Sequence, residues 1–243
     1  IASQFANAFY AAPGQSMNPQ IAGADSPNVT YRTHVQSYGW QGWKYNGAMS
    51  GTSGQAKRLE GIEIKLTNAP YSGGICYTTH VQSYGWQEPT NNPSAWRRNG
   101  TMSGTSGQAK RLEAICIALT GDMQRHYDVY YRVHAQSFGW LGWAKNGAPS
   151  GTAGYAKRLE GIQIVVVKKG AAVPGVNYAG VNAASGVHQA KSYIAKAGSS
   201  PVVGNQATSN TNPSVAGERN VNIAYRTHVQ TYGWQGWKYN GQM

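Results

Sequence analysis

The sequence predicts an all-β protein in which similar units close one pseudo-threefold domain, and three observations lead to that prediction. First, the pattern Y-x-x-H opens four segments, at Tyr31, Tyr77, Tyr131 and Tyr225. Second, apolar and polar residues alternate within each segment with the two-residue period of strands. Third, Asn-Gly pairs and glycine-rich turns separate these strands, as they do in antiparallel hairpins.

The four segments are copies of one unit, of which three are full length and the last stops halfway. The first copy reads YRTHVQSYGWQGW, then Asn-Gly, then SGTSGQAKRLEGIEI. The second copy adds the insert EPTNNPSA before Trp96. All eight tryptophans fall in the same two slots, at positions 40 and 43, 86 and 96, 140 and 143, and 234 and 237. Such recurrence identifies an internal repeat, and one unit is too small to bury a core alone.

Each unit is expected to contain three or four short antiparallel strands. Residues 29–36 and 62–66 alternate between apolar and polar side chains. Asn-Gly predicts a two-residue hairpin turn at positions 46, 99, 146 and 240, because both residue types tolerate positive φ. Three consecutive units, residues 29–168, would then close one β domain. The sequence favours a β-prism and leaves a β-trefoil as the second choice.

The remaining residues are rich in Ala, Gly, Ser and Asn and are predicted to be extensions. Residues 1–28 form an N-terminal extension, residues 169–222 a linker, and residues 223–243 the half repeat. Within the linker, residues 187–197 could form a short helix, and an ordered linker would need a packing surface such as a neighbouring copy. Because the chain begins at Ile1 without a leader, a processed product is expected.

Charge and hydropathy argue against two classes of protein. The formal net charge is +12, yet only 12% of residues are charged. The basic residues are spread over the repeats, and no recognition helix, zinc finger or RNA-binding signature accompanies them. No apolar run approaches the roughly 20 residues of a membrane-spanning helix. We therefore expect neither nucleic-acid binding nor a membrane span, whereas acidic envelope polymers suit the positive charge.

The pattern Y-x-x-H-V-Q-x-x-G-W…N-G…S-G-T-x-G…R-L-E-x-I-x-I resembles the clostridial hydrophobic repeat, often written ChW after its tryptophan. The resemblance covers residues 29–168 in three full copies and residues 223–243 in a half copy. It implies a non-catalytic module of secreted or surface proteins in Gram-positive bacteria, often joined to polysaccharide-degrading or adhesive domains. Binding to carbohydrate or protein, without a cofactor, is the implied activity.

The two tryptophans of each unit are assigned different roles. The first follows a turn glycine and is expected to fill the core (Trp40, Trp86, Trp140 and Trp234). The second lies beside polar residues, where its ring could stack on a sugar. Packing between repeats is the equally open alternative. The second set is Trp43, Trp96, Trp143 and Trp237.

A His-x-Gln pair places two polar side chains on one strand face of each unit. Its recurrence favours a buried, hydrogen-bonded role, followed by a sugar-binding groove and, last, a zinc site, for which two ligands are too few. The amides of the Asn-Gly turns are further candidates for binding sugar hydroxyls. No metal or cofactor is expected. The candidate residues are His34, His80, His134, Gln36, Gln82, Gln136, Asn46, Asn99 and Asn146, with His228 and Gln230 in the half repeat.

The Arg-Leu-Glu segments predict ion pairs within a strand and no catalysis. Arginine and glutamate lie two residues apart on one strand face, so each arginine should keep its glutamate ionised rather than raise its pKa. Glycosidase carboxylates instead work as a pair with separate roles. We therefore expect no enzymatic activity. The pairs are Arg58 with Glu60, Arg111 with Glu113, and Arg158 with Glu160.

Both cysteines, Cys76 and Cys116, lie in the second unit, at slots that face away from the alternating apolar set. If the first and last strands of the unit are neighbours, the pair could close a cross-strand disulfide, in keeping with an extracellular setting. Two free thiols are the alternative.

The leading hypothesis is a non-enzymatic, secreted or cell-surface binding protein, lectin-like in its threefold β domain. Its partner would be a polysaccharide or cell-envelope glycan, bound at up to three equivalent sites that gain affinity through multivalency. The alternative is a structural protein that assembles into a surface layer or filament, in which residues 223–243 pair with a neighbouring subunit by strand addition. An anchoring module of a larger hydrolase is a third possibility.

Overall fold

The computed structural model of the chain describes residues 27–171, 191–197 and 199, together with the backbone pairing of short strands between residues 224 and 239. The described residues are all-β, which confirms the predicted fold class. Two short helical turns interrupt the strands, a 3-10 turn at Pro93–Ala95 and α1 at Met123–His126. Neither is long and apolar enough to cross a membrane.

Each full repeat is built on one pair of long antiparallel strands, as the period-two alternation predicts. In repeat 1 the pair is β1 (Asn28–Val35) with β5 (Leu59–Thr67). The side chains at alternate positions of these strands face a common core. Repeat 2 has β6 (Gly74–Val81) with β10 (Leu112–Thr120), and repeat 3 has β11 (Tyr127–Ala135) with β15 (Leu159–Lys168).

Three short strands lie between the long strands of each repeat. The first two pair with the free edge of the repeat's first long strand, and the predicted Asn-Gly turns with positive φ follow the second of them. The short strands are β2 (Gly39–Trp40), β3 (Lys44–Tyr45) and β4 (Ser50–Gly51) in repeat 1; β7 (Gly85–Trp86), β8 (Arg97–Arg98) and β9 (Ser103–Gly104) in repeat 2; and β12 (Gly139–Trp140), β13 (Ala144–Lys145) and β14 (Ser150–Ala153) in repeat 3.

The third short strand of each repeat pairs with a neighbouring repeat. β4 of repeat 1 pairs with β15 of repeat 3, β9 of repeat 2 with β5 of repeat 1, and β14 of repeat 3 with β10 of repeat 2. The exchange is cyclic, in keeping with the predicted pseudo-threefold arrangement. The choice of a β-prism over a β-trefoil stays a prediction. The turn glycine before each exchanged strand adds one more N–H to carbonyl bond of 2.7 Å in the same direction: Gly47 to Ile164, Gly100 to Ile64 and Gly147 to Ile117.

The first tyrosine of each repeat lies at the centre of this exchange. Tyr31 is fully buried, and its hydroxyl donates to the carbonyl of Ala48 and accepts the N–H of Ile164 of repeat 3 at 3.2 Å. Burial raises the pKa of Tyr77 to about 12, so this hydroxyl stays protonated and able to donate. The equivalent bonds join Tyr77 to Thr101 and Ile64, and Tyr131 to Ala148.

One pair of buried hydroxyls recurs in two of the three repeats and gives a stability prediction. In repeat 1 the hydroxyls of Thr33 and Ser50 are hydrogen bonded at 2.9 Å. In repeat 3 the first position is Val133, and the hydroxyl of Ser150 is buried with no hydrogen-bond partner among the described residues. We expect Ser50→Ala to lower the free energy of unfolding by about 1 kcal/mol, and Ser150→Ala to leave it unchanged or raise it. Urea unfolding measures both; equal losses would contradict the hydrogen-bond explanation.

Part of the predicted linker is a strand that packs on repeat 3. β16 (Tyr193–Ala195) pairs in parallel with β14. The short helix considered for residues 187–197 is therefore wrong over residues 191–197, because the edge of β14 satisfies the backbone groups there. The surface that this segment packs on belongs to its own chain and not to a neighbouring copy. Residues 1–26, 172–190, 198 and 200–222 lie outside the described residues.

The half repeat keeps the pairings of the first half of a full repeat. β17 (Ala224–Tyr225) pairs with β20 (Lys238–Tyr239) in the register of β1 with β3, and β18 (His228–Val229) pairs with β19 (Gly233–Trp234) in the register of β1 with β2. These strands fall in the second of two compact units, residues 203–243, the first being residues 1–202. Pairing of the half repeat with another subunit stays a prediction, and Trp237 lies outside the described residues.

Candidate functional site

A β-bulge in each repeat turns one buried glutamate toward the predicted histidine. In repeat 1 His34 pairs with Gly61 and Val35 with Leu59, which leaves Glu60 as the extra residue. Bulges redirect a side chain out of the regular alternation. The Oε2 atom of Glu60 lies 3.0 Å from Nδ1 of His34, off the line of a regular hydrogen bond. The same distance is 3.2 Å between Glu113 and His80 and 3.0 Å between Glu160 and His134.

The second carboxylate oxygen of each glutamate is held by the arginine two residues before it. Nε of Arg58 donates to Oε1 of Glu60 at 2.7 Å, which confirms the predicted pair within the strand. Burial acts to raise the pKa of Glu113, but its contacts with His80 and Arg111 outweigh burial and hold the pKa below its ordinary value. Glu113 is thus held as an ionised anchor. The remaining pairs are Arg111 with Glu113 and Arg158 with Glu160.

The lowered pKa of Glu113 predicts a pH-dependent contribution to stability. Because the folded pKa lies below the unfolded value of about 4.3, the ionised carboxylate stabilises the fold above that pH. The contribution is lost as the pH falls through the lowered folded pKa. We expect Glu113→Gln to lower the melting temperature at pH 7 and to differ less from the parent protein at about pH 3. Circular dichroism melts measure this; the same difference at both pH values would contradict an ionised Glu113.

The first tryptophan of each repeat lies against the histidine and not in the core. The rings of Trp40 and His34 meet edge to face, with centroids 5.5 Å apart. Trp40 is half-buried and pairs with His34 in the strand register, so both side chains share the face opposite the core. The prediction that this tryptophan fills the core is therefore wrong for Trp40 and Trp140. Trp86 is partly buried and packs against the smaller cluster of Cys76, Trp96 and Cys116, and the side chain of Trp234 lies outside the described residues. Trp86 meets His80, and Trp140 meets His134, in the same way at 5.6 Å.

In repeats 1 and 3 the two tryptophans enclose an arginine. The guanidinium of Arg32 lies 4.9 Å from the ring centroid of Trp40 and 4.8 Å from that of Trp43. The ammonium of Lys65 lies 4.2 Å from the Trp43 ring. These cation–π contacts show that the Trp43 ring also serves packing within the repeat, and sugar stacking on Trp43 stays a prediction. In repeat 3 Arg132 lies 4.9 Å from Trp140 and 5.0 Å from Trp143.

Repeat 2 buries its second tryptophan. Thr78 stands where the other two repeats have arginine, and Trp96 is only 3% exposed. Trp96 packs against Cys76 and Cys116, and its indole N–H donates to the carbonyl of Pro89 at 2.9 Å. The insert EPTNNPSA supplies that carbonyl. The prediction that Trp96 binds a sugar is therefore wrong, since its ring is a packing element.

The predicted disulfide is absent, and Cys76 and Cys116 are free, buried thiols. Their strands are neighbours as expected, but the register pairs Cys76 with Ala118 and Cys116 with Thr78. The cysteines are therefore diagonal, and diagonal residues lie about 7–8 Å apart, beyond the usual disulfide range. Burial raises the pKa of Cys76 to about 11 and that of Cys116 to about 12, which keeps both as unreactive thiols.

The predicted glutamine and asparagine positions serve the backbone. Gln36 donates its backbone N–H to the carbonyl of Arg58 at 2.9 Å. The side-chain oxygen of Asn46 accepts the N–H of Val29 at 3.1 Å and ties the hairpin turn to β1. The asparagine oxygens are thus engaged by the fold, while the assignment of these asparagine and glutamine side chains to a ligand stays a prediction. The equivalent bonds join Gln82 to Arg111, Gln136 to Arg158, Asn99 to Ile75 and Asn146 to Val129.

Among the described residues, the most exposed aromatic rings lie at a turn that sequence reasoning did not single out. Tyr38 and Tyr84, between the histidine and the first tryptophan, are 56% and 57% exposed. The hydroxyl of Tyr38 donates to the side-chain oxygen of Gln55 at 2.8 Å, and the ammonium of Lys57 lies 5.7 Å from the ring centroid. Gln108 and Lys110 hold Tyr84 in the same way.

In repeat 3 the residue at this turn, Phe138, is half-buried and pairs with an aromatic ring from the loop after β14. Phe138 packs edge to face against Tyr155 with centroids 5.4 Å apart, and Tyr155 is 37% exposed. A sequence signal for these positions existed, because an aromatic residue precedes the turn glycine in every copy: QSYG, QSYG, QSFG and QTYG. In repeat 1 the flanking residues Ser37 and Gly39 both have positive φ, which marks a tight turn with an outward tip.

A cavity of about 640 Å³ lies beside the histidine of repeat 2. It is bounded by residues of repeat 2, by β14 of repeat 3 and by the segment that contains β16. Among the described residues, no lysine, arginine, aspartate or glutamate lines it. In the part of the chain that the structure describes, no three His, Cys, Asp or Glu side chains come together as a metal site. The main lining residues are His80, Trp86, Pro89, Ala153, Tyr193 and Ser199.

Three segments of the chain match the model of the family described as clostridial hydrophobic W (ChW): residues 34–68, 80–121 and 134–168. Each match begins at the histidine of a repeat and ends at or just after its second long strand. The match confirms the resemblance drawn from the sequence. Comparisons with curated proteins and with solved structures gave no match.

Proposed function

Because the chain carries three repeats of the ChW family, we propose that it is a non-enzymatic, secreted or cell-surface protein that binds polysaccharide or cell-envelope glycan. One observation carries the proposal. In repeats 1 and 2 an exposed tyrosine ring, that of Tyr38 or Tyr84, lies at the turn beside a histidine–tryptophan pair anchored by a buried glutamate. In repeat 3 the residue at this turn, Phe138, is half-buried, and the exposed ring is that of Tyr155, which packs on Phe138 from the following loop.

The exposed rings suit a sugar because an aromatic face matches the apolar C–H face of a pyranose. Side chains next to the ring supply hydrogen-bonding groups: Gln55 and Lys57 flank Tyr38. The anchored pair of His34 and Trp40 limits the motion of the strand that carries the turn. A preformed face loses less conformational freedom on binding.

The number of faces and the charge of the chain both favour a long polymeric ligand. Three weak sites on one domain gain affinity on a repetitive chain, because the later contacts are intramolecular. The net charge of +12 adds long-range attraction to acidic polymers, which salt weakens.

The anchoring glutamates support a role without catalysis. A carboxyl group that acts as a general acid near neutral pH needs a raised pKa. The pKa of Glu113 is held below its ordinary value, and each of the three glutamates is paired with an arginine. Their geometry therefore favours positioning of the histidine over proton transfer.

Affinity electrophoresis in gels that contain a soluble polysaccharide tests the proposal. The panel includes a β-glucan, a galactomannan and polygalacturonate, which covers neutral and acidic polymers. We expect the parent protein to be retarded by at least one of them. Combined Tyr38→Ala and Tyr84→Ala substitutions should weaken that retardation at least tenfold without lowering the melting temperature, because both rings are largely exposed.

Tyr45→Ala is the matched control, because Tyr45 is 54% exposed but lies at the opposite end of β1. We expect this variant to bind like the parent protein. If the combined Tyr38→Ala and Tyr84→Ala variant were retarded like the parent protein, the assignment of the turn aromatics would be contradicted. An equal loss of retardation in the Tyr45→Ala control would contradict it as well. Absence of retardation by every polysaccharide would contradict glycan binding itself.

A further inference from the structure

In repeats 1 and 2 a glutamine side chain accepts a hydrogen bond from the backbone of the exchanged short strand, β4 or β9. The side-chain oxygen of Gln41 accepts the N–H of Gly51 in β4 at 2.8 Å. That of Gln87 accepts the N–H of Gly104 in β9 at 2.6 Å. An incoming strand needs free backbone groups at a sheet edge. These two edges are therefore blocked by their own repeat.

Repeat 3 differs at this position, and its edge takes a strand. Leu141 stands where the other repeats have glutamine, and it is buried in the core. Gly151 of β14 donates its N–H to the carbonyl of Ser192 instead, at 2.9 Å. Ile194 of β16 packs against the same core cluster as Leu141. A leucine cannot cap a backbone N–H, so this substitution frees the edge that β16 occupies.

The docked strand forms one wall of the cavity beside repeat 2. Tyr193 and Ser199 of the docked segment face His80 and Trp86 across it. The hydroxyl of Tyr193 is buried, and burial, with the nearby Cys116 and Glu113, raises its pKa to about 12. Tyr193 is thus inserted into the protein and fixes the segment in place. Without the docked β16 segment, the cavity would lose the wall formed by Tyr193 and Ser199.

We propose that this cavity binds one neutral sugar unit, and that Leu141 determines its location by admitting β16 at repeat 3. This assignment rests on the proposed glycan binding and names a site separate from the exposed tyrosine turns. The turns would bind several sugar units along a polymer. The cavity would bind a single sugar unit, such as one at a chain end or on a side branch.

The lining of the cavity fits such a ligand in size, charge and polarity. A volume of about 640 Å³ lies within the range of small-molecule sites. The described lining residues include no lysine, arginine, aspartate or glutamate, although the chain has a net charge of +12, so they favour a neutral ligand over a charged one. Trp86 and Pro89 supply apolar surface. The Nδ1 atom of His80 faces Glu113, which leaves Nε2 for a ligand hydroxyl.

Titration with the methyl glycosides of glucose, galactose, mannose and N-acetylglucosamine, followed by tryptophan fluorescence, tests the assignment. We expect one of them to bind the full chain. Leu141→Gln should restore the cap on Gly151, release β16 and weaken binding at least tenfold. Tyr193→Ala should weaken binding similarly by removing the wall. Lys196→Ala, an exposed side chain on the same segment, is the control that should bind normally.

Faster hydrogen exchange of the amides of residues 193–195 would show that β16 is released in the Leu141→Gln variant. We expect this variant to keep its fold, because repeats 1 and 2 have glutamine at the equivalent position. Unchanged glycoside binding in both variants would overturn the cavity assignment. Binding of polysaccharide without binding of any methyl glycoside would also overturn it, and would leave the proposed function standing. Failure to bind either kind of sugar would overturn both.

Discussion

Gly104→Ala should lower the free energy of unfolding by more than about 4 kcal/mol, among the largest effects of a single substitution. Gly104 has φ +103°, which residues with a Cβ rarely adopt. It also pairs with Gly61, where β9 crosses to repeat 1. A Cβ here would lie 2.4 Å from the carbonyl oxygen of Glu60 and 2.8 Å from the Cα of Gly61. Only backbone movement could relieve these contacts, and that movement would break the exchange between repeats.

Two other glycines are controls for this prediction. Gly107 also has positive φ, +71°, but a Cβ at this position would meet no atom within 4 Å, so Gly107→Ala should lose only about 1–2 kcal/mol. Gly42 has neither constraint, and Gly42→Ala should stay within about 0.5 kcal/mol of the parent protein. Thermal and urea unfolding compare the three variants. A Gly104→Ala protein as stable as Gly107→Ala would contradict the close approach of the two strands.

Tyr31→Phe should lower the free energy of unfolding by about 3 kcal/mol, because two buried backbone groups lose their partner at once. The hydroxyl donates to the carbonyl of Ala48 and accepts the N–H of Ile164, which belongs to repeat 3. Phenylalanine keeps the ring and its packing, so the loss reports on the hydroxyl. Because one of the bonds crosses between repeats, the Ile164 amide should also exchange faster with solvent deuterium.

Tyr38→Phe is the matched control for Tyr31→Phe. The hydroxyl of Tyr38 also makes a hydrogen bond, to Gln55, but on an exposed surface where water replaces it. Its loss should change stability by less than about 0.5 kcal/mol. Urea unfolding followed by circular dichroism gives both values. Equal losses in the two variants would show that Tyr31 does not link the repeats in the way described.

The strands and turns could be predicted from the sequence because their causes are local. Alternation over residues 29–36 specifies a strand, and the Asn46-Gly47 pair specifies the turn. The exchange between repeats could not be predicted in the same way. The segment Ser50-Gly51-Thr52 has nearly the same sequence in every repeat, so no local feature distinguishes its own repeat from a neighbouring one. The cyclic arrangement of all three repeats determines that β4 pairs with β15.

The core position of Trp40 was predicted wrongly because the strand that carries it is short. On a continuous strand Trp40 and Trp43 would point to opposite faces. β2 ends at Trp40, and the residues up to Trp43 leave the strand geometry. Both rings therefore reach the same guanidinium, that of Arg32.

The anchoring of the histidine depends on a bulge that alternation does not show. The sequence predicted the pair of Arg58 and Glu60, since they lie two positions apart in an alternating segment. It did not predict that Glu60 also reaches His34, because the register between β1 and β5 shifts at that point. The structure thus shows that the ion pair of Arg58 and Glu60 also contacts the histidine.

An amide-resolved NMR titration tests the central claim most directly, namely that the turn aromatics of the repeats bind glycan. The ligand is an oligosaccharide of the polysaccharide that retards the protein most in affinity electrophoresis. Shift changes should centre on residues 37–39, 83–85 and 137–139, at one end of the long strands. Absence of shift changes at saturating oligosaccharide, or changes confined to the Asn-Gly turns at the other end, would contradict the claim.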